Sequence, residues 1–97
     1  MVLLTGTVYS QCNKDNWEYY YPDRMQDCNL AGADFKGEDL EWAFLKSANL
    51  NGVNLREADL AGVISGEIKG TPKSLPVGWS LVGGVLVNNR GGYQRRK

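Results

Sequence analysis

Histidine is absent from this sequence of 97 residues, and cysteine is scarce. Because histidine is the commonest general base and the commonest metal ligand in proteins, its absence removes most routes to acid–base or metal chemistry. The two cysteines, Cys12 and Cys28, are too few for a four-thiolate zinc site. The sequence also lacks a glycine-rich phosphate loop, a nucleophile motif and a dinucleotide fingerprint. We therefore expect a non-enzymatic protein that holds no metal and no cofactor.

Long apolar runs are missing as well. No segment approaches the roughly 20 consecutive apolar residues that a membrane-spanning helix requires. The opening residues Met1-Val-Leu-Leu lack the basic region of a secretory leader, and their apolar run is too short for one. These two features predict a soluble, cytoplasmic protein with no membrane partner.

Acidic residues are absent from residues 69–97, which hold six basic ones. Residues 27–68 have the opposite balance, with three basic and eight acidic residues. The formal net charge of zero therefore hides an acidic body followed by a basic tail. Such a separation of charge can indicate a charged partner.

A large apolar residue stands at every fifth position in the middle of the chain. The residues on this register are Leu30, Phe35, Leu40, Leu45, Leu50, Leu55 and Leu60. The position two residues earlier is mostly small, the position between is mostly Asn or Asp, and glycine recurs two places after the large residue. A period of five fits neither an α-helix nor a single strand. It predicts a solenoid whose units stack on their neighbours.

The repeat resembles the A-(D/N)-L-x-x motif of the pentapeptide-repeat family. The closest segments are Ala33-Asp-Phe-Lys-Gly, Ala48-Asn-Leu-Asn-Gly and Ala58-Asp-Leu-Ala-Gly, and the resemblance covers residues 28–62. It implies an all-β fold, a short right-handed quadrilateral β-helix of about two coils with four pentapeptides in each. The large residue then fills the axis, and the Asn or Asp bonds to the backbone at a corner. With twenty residues per coil, the expected stacking pairs are Leu30 on Leu50, Phe35 on Leu55 and Leu40 on Leu60.

The chain divides into four segments on this interpretation. Two coils are too few to be stable without caps, so the flanks must supply them. We predict an N-terminal β cap in residues 1–26, with residues 1–10 pairing with the first coil and aromatic side chains covering its open end: Trp17, Tyr19, Tyr20 and Tyr21. Residues 27–68 form the solenoid, and residues 69–87 form a Pro/Gly linker and a β-hairpin with Gly83 and Gly84 at its turn. Residues 88–97 are a basic tail without structure of its own.

Among the residues of the small inward register, Cys28 fits the pattern and Glu38 breaks it. Cys28 is explained as a small apolar filler, and a disulfide bond to Cys12 is the alternative. Glu38 would be costly as a buried, unpaired carboxylate. We expect its head group to leave the first coil through the open end, towards Arg24 or Lys36; the alternative is a contact with a partner at that end.

Three large apolar residues are predicted to face outward on one side. Phe44 and Ile64 occupy the Asn/Asp position one coil apart, and Trp42 lies at a neighbouring outward position above Gly62. Either the flanking segments cover these side chains or a partner protein binds them. Two alternatives also apply to the basic tail: it is either a solvated chain end or a contact with a charged partner. Its candidate residues are Arg90, Arg95, Arg96 and Lys97.

Three classes of function follow from these features. The first is a binding module, of a phage or bacterial kind, that acts stoichiometrically on a protein target in the cytoplasm. The second is a structural component of a larger assembly such as a phage virion. The third, suggested by the family resemblance, is a DNA mimic that inhibits a DNA-binding enzyme such as a type II topoisomerase. Nucleic acid itself is the least favoured partner because no basic face crosses the body. An open solenoid end could also pair with a second copy in a homodimer.

Overall fold

The computed structural model describes residues 12–89 of the chain. The predicted pairing of residues 1–10 lies outside the described residues, and so do the tail candidates Arg90, Arg95, Arg96 and Lys97. The helical and strand elements of the described part are a 3-10 helix, η1 (Trp17–Tyr19), and two strands, β1 (Trp79–Val82) and β2 (Val85–Asn88). No helix within residues 12–89 is long and apolar enough to cross a membrane.

Parallel β-bridges connect positions that are one predicted coil apart, which makes the fold β-helix-like. The bridges that join residues twenty apart are Asn29 to Asn49, Asp34 to Asn54, Asp39 to Asp59, Phe44 to Ile64, Asn49 to Lys69 and Asn54 to Ser74. Backbone hydrogen bonds alternate across them, since Leu30 N–H donates to Asn49 O and Asn49 N–H donates to Cys28 O, both at 2.9 Å. The expected stacking distance of twenty residues is therefore present in the structure.

Each corner of the repeat is a tight turn. At the corner formed by residues 30–33, Ala33 N–H donates to Leu30 O at 2.9 Å, and Gly32 has φ +76°. A positive φ at this point is the requirement of a type II turn, which explains the recurring glycine. The same left-handed conformation recurs at every fifth residue, also where the residue is not glycine: Asp27, Trp42, Ser47, Glu57 and Glu67.

The Asn and Asp side chains bond to these corners as predicted. Asn49 Oδ1 accepts from the N–H of Asn51 at 3.0 Å, and Asp59 Oδ1 accepts from the N–H of Ala61 at 3.0 Å. Positions 29, 34, 39 and 54 make the equivalent bond to the second residue after them. A side chain that satisfies a backbone donor in this way favours a turn over a helix or a flat strand.

The large apolar residues form a buried column. Leu30, Leu40, Leu45, Leu50, Leu55 and Leu60 are at most 1% exposed, and Phe35 is buried with them. The small register is buried too at Ala33, Ala43, Ala48, Val53 and Ala58. Glu38 is the exception in that register, because its side chain is exposed and not inward. No ion pair joins it to Arg24 or Lys36 in the part of the chain that the structure describes.

The N-terminal segment caps the solenoid by a route that the sequence did not predict. Cys12 and Cys28 form a disulfide bond, so the preferred interpretation of Cys28 as a mere apolar filler was wrong and its alternative is found. Beside the bond, Asn13 bridges Asn29 across only sixteen residues. The stack of bridges thus begins with a step of sixteen residues, and η1 lies within that step. Trp17 packs on Phe35 with 5.0 Å between ring centroids, and Tyr20 and Tyr21 pack against the core.

Tyr19 does not share in this cover, since it is 80% exposed. The 3-10 helix turns its side chain away, while the carbonyl of the same residue accepts a hydrogen bond from Arg24 Nη2 at 3.0 Å. The expectation that four neighbouring aromatic residues all cover the end is therefore correct for three of them.

The C-terminal part continues the stack and then closes it. Bridged pairing extends to Lys69 and Ser74, which lie beyond residue 68, where we expected the solenoid to stop. Strands β1 and β2 then form the predicted antiparallel hairpin, in which Val82 pairs with Val85 across Gly83 and Gly84. Both glycines have positive φ, as a two-residue hairpin turn demands.

Candidate partner-binding surface

The outward apolar residues lie where the sequence predicts. Phe44 and Ile64 are joined by a parallel bridge, with Leu45 N–H donating to Ile64 O at 2.7 Å. Phe44 is half-buried, and Ile64 is 53% exposed. We call Trp42, Phe44 and Ile64 the apolar surface. Within residues 12–89 the flank reaches Phe44, whose N–H donates to Pro22 O at 2.7 Å, but the intramolecular cover that was one alternative does not extend to Trp42 or Ile64.

The Trp42 indole lies directly on the backbone of Gly62. A methyl group at position 62 would overlap three indole ring atoms, which means that only glycine leaves room for the ring. Below the ring, Trp42 N–H donates to Ala61 O at 2.9 Å. The indole nevertheless remains 66% exposed, because it covers the neighbouring coil with one face and shows the other to solvent. The predicted position above Gly62 is confirmed.

Three carboxylates gather beside this surface. Asp39 and Asp59 are bridged, and Glu41 follows two residues after Asp39, immediately before Trp42. One carboxylate oxygen from each residue lies within 4.8 Å of the other two. We call these three residues the acidic trio. Oxygen ligands at this spacing can share one cation, either a metal ion or a basic side chain.

The electrostatics of the acidic trio reflect its crowding. The negative charge of Asp59, and then that of Asp39, raises the pKa of the Glu41 carboxyl, and partial burial adds to the effect. Partial burial, followed by the charges of all three carboxylates, raises the pKa of the Tyr21 phenol. The Tyr21 hydroxyl donates to the main-chain oxygen of Glu41 at 2.7 Å, so the N-terminal cap holds the chain at the trio in place.

A second acidic region surrounds Glu38 at the open end of the first coil. Glu38 lines an open depression of about 320 Å³ together with Phe35, Trp17, Asp34 and Lys14. The N-terminal segment bonds to position 29 through Cys12 O and to position 44 through Pro22 O. The side chain of Glu38 is exposed in this depression, which agrees with the expectation that its head group is not enclosed.

Sequence reasoning found the apolar surface but missed the acidic trio. Asp39 and Asp59 were interpreted only as corner residues, and that role is real, since both accept a backbone hydrogen bond. The signal that could have revealed the trio is the twenty-residue stacking distance, which places Asp59 on Asp39. Glu41, two positions later, then lies above Ala61, which offers no charge to compensate it.

The repeat segment matches one protein family. A family model of pentapeptide repeats fits residues 24–62 with eight copies, in agreement with the resemblance found in the sequence. No curated protein and no solved structure matches this chain. Eight matched copies, bridges every twenty residues and a buried column of leucines agree with one another, and residues 24–62 of this chain are therefore a segment of pentapeptide repeats.

Proposed function

We propose that this chain is a non-enzymatic protein-binding module that docks a partner protein on its apolar surface. The observation that carries the proposal is the exposure of Trp42 and Ile64 at corner and outward positions of the repeat. Proteins with pentapeptide repeats are often protein-interaction modules. Aromatic residues such as tryptophan are enriched in the cores of protein interfaces.

The fold itself does not require these residues. Trp42 has φ +66° at a corner where Gly32, Gly37, Gly52 and Gly62 serve elsewhere, and a non-glycine residue in this conformation costs about 1 kcal/mol. Ile64 occupies a position whose Asn or Asp would bond to the backbone at the corner. The repeat therefore needs neither residue at its position, and a binding role accounts for their presence.

The proposal excludes catalysis. Support comes from the leucine column, which fills the axis, and from the acidic residues, which stand at outward positions where water screens them. The chain is then a rigid support that presents a surface and acts by occupying its partner.

The proposal also specifies the shape of the support as a right-handed, four-sided β-helix. Bridged positions occur at residues 29, 34, 39 and 44, and the pairing then begins again at residue 49. Four sides of five residues account for this spacing. A crystal structure with a different number of sides per twenty residues, or with left-handed coils, would contradict it.

The test compares capture of a partner by wild-type protein and by a variant that returns the surface to the repeat's own pattern. Trp42→Gly/Ile64→Asn places glycine at the corner and restores a corner-bonding side chain, so we expect the variant to fold with at least wild-type stability. The matched control is Val77→Ser, which removes an 88% exposed apolar side chain from the hairpin approach.

Affinity capture from a lysate of the encoding organism, followed by calorimetry with the purified partner, measures the effect. We expect the control to bind like wild type and the surface variant to lose at least about tenfold in affinity. Equal binding by all three proteins would refute the proposed surface, and turnover of a substrate by the purified chain would refute the non-enzymatic role. The identity of the captured protein separates a cytoplasmic target, a virion subunit and a topoisomerase.

A further inference from the structure

The acidic trio and the exposed indole are neighbours, and together they specify a kind of partner. Glu41 belongs to the trio and Trp42 follows it in the chain, while one coil away Asp59 pairs with Asp39 and Gly62 lies under Trp42. The surface therefore combines three clustered carboxylates with an aromatic face. A cation is attracted by both, and indole is the aromatic ring that attracts it most strongly.

The negative charge of the trio has no compensating partner in the described structure. Within residues 12–89 no lysine or arginine forms an ion pair with Asp39, Glu41 or Asp59. Asp39 and Asp59 each use one oxygen to accept a corner N–H, which leaves the second oxygen of each for another donor. The crowding that raises the pKa of Glu41 would be relieved by a cation bound between the three groups.

The apolar part of the surface excludes a bare ion as the best complement. Trp42, which follows Glu41 in the chain, and Ile64, on the next side of the proposed four-sided stack, both remain exposed, and a metal ion at the trio would leave both of them in water. A basic peptide segment covers them, since arginine and lysine carry apolar stems and the adjoining residues can be apolar. Arginine suits the trio further because its planar fork bonds to two carboxylate oxygens at once.

We propose that the apolar surface and the acidic trio together bind a basic, partly apolar segment of a partner protein, with an arginine or lysine head group seated among Asp39, Glu41 and Asp59 beside Trp42. This inference rests on the proposed function and names the chemistry of the partner. Charge complementarity selects a basic segment over an acidic or neutral one.

The experiment uses fluorescence anisotropy with a labelled peptide of alternating arginine and leucine, and the same peptide with citrulline in place of arginine. Citrulline keeps the shape of the side chain and removes its charge. The protein variant Asp39→Asn/Glu41→Gln/Asp59→Asn keeps the corner acceptors, because asparagine serves at the same position in Asn49 and Asn54. The control Glu18→Gln/Glu57→Gln removes exposed carboxylates elsewhere.

We expect the arginine peptide to bind wild type at least about tenfold more tightly than the citrulline peptide. The trio variant should lose about tenfold in affinity for the arginine peptide, and the Trp42→Gly/Ile64→Asn variant should lose a similar factor. The charge control should change affinity by less than about twofold, because isolated surface charges contribute little.

Several results would overturn this inference. Equal affinity for the two peptides, or equal losses in the trio variant and the charge control, would show that the trio does not select the partner. Tighter peptide binding by an Arg95→Gln/Arg96→Gln variant would identify the chain's own tail as the occupant. Binding of the natural partner that depends on the apolar surface but not on the trio would leave the proposed function standing while this inference fails.

Discussion

The contact between Trp42 and Gly62 gives a prediction whose magnitude can be worked out from the structure. Gly62→Ala forces a left-handed conformation on alanine at φ +73°, which costs about 1 kcal/mol. The added methyl group also overlaps the indole of Trp42, and overpacking of this kind costs about 1–3 kcal/mol. We expect the free energy of unfolding to fall by about 2–4 kcal/mol in total.

Gly52→Ala is the matched control for the conformational part of that cost. Its φ is +71°, and the nearest atoms that a methyl group would meet are 3.9 Å away, on Gly32. This substitution should cost only about 1 kcal/mol. The combination Trp42→Gly/Gly62→Ala should reduce the cost at Gly62 to that same value, because the indole is gone.

Urea unfolding followed by far-UV circular dichroism measures wild type, Gly62→Ala, Gly52→Ala, Trp42→Gly and the double variant, provided that the slope of the transition stays constant. The informative quantity is the coupling between positions 42 and 62. Equal destabilisation by Gly62→Ala and Gly52→Ala, or a coupling near zero, would mean that the indole does not lie on Gly62. The geometry of the apolar surface would then be wrong.

Four further predictions concern the scaffold and the acidic trio. Replacing Cys12 and Cys28 by alanine should lower the free energy of unfolding by about 3 kcal/mol, the loop-closure value for a separation of sixteen residues, as measured by denaturant titration. Leu50→Ala should cost about 2–5 kcal/mol in the same assay, since the side chain is fully buried in the column. Glu57→Gly should raise the free energy of unfolding by at most about 1 kcal/mol, because it relieves a left-handed glutamate. The pKa of Glu41 is raised in the folded state, so the stability that its protonated form contributes is fully present below the unfolded pKa and is lost as pH rises through the folded pKa. Glutamine cannot ionise, so Glu41→Gln should be more stable than wild type at pH 7. That advantage should vanish near pH 4. An advantage that is the same at both pH values would contradict the shift at Glu41.

Much of the fold follows from spacing alone. The spacing of five residues in the sequence is enough to predict which leucines are buried, where the corner glycines stand and which Asn and Asp side chains accept backbone hydrogen bonds. The hairpin also follows from local chemistry, since two adjacent glycines between β-prone segments admit few other structures. Trp42 over Gly62 was predictable because both positions belong to the same repeated frame.

The N-terminal cap was not predictable in the same way because it leaves that frame. Cys12 lies sixteen residues before Cys28, four fewer than the stacking distance of twenty, and the 3-10 helix η1 lies between the two cysteines. A non-periodic turn carries no signal that fixes its length, so the disulfide bond was only one alternative in the sequence. Glu38 shows the complementary case, in which the frame predicts an inward position but the end of the stack supplies no neighbour to enclose it.

The candidate site also contains one part that could be predicted from the sequence and one part that could not. Apolar residues in a polar register stand out in a sequence, which is why Trp42, Phe44 and Ile64 were found. Charged residues in a polar register do not stand out, and the clustering of Asp39, Glu41 and Asp59 depends on which residues meet across coils. That meeting is visible only when the two stacked stretches are compared at once.

The stacking distance of twenty residues limits how this chain can change in length. An insertion of five residues after Leu45 would keep every leucine on the axis, yet it would rotate all following positions onto the next side and separate Ile64 from Phe44. An insertion of twenty residues would return every following position to its original side, with one added coil between Phe44 and Ile64. Only length changes in whole turns therefore keep each residue on its own side, and intermediate lengths should fold while presenting a different face.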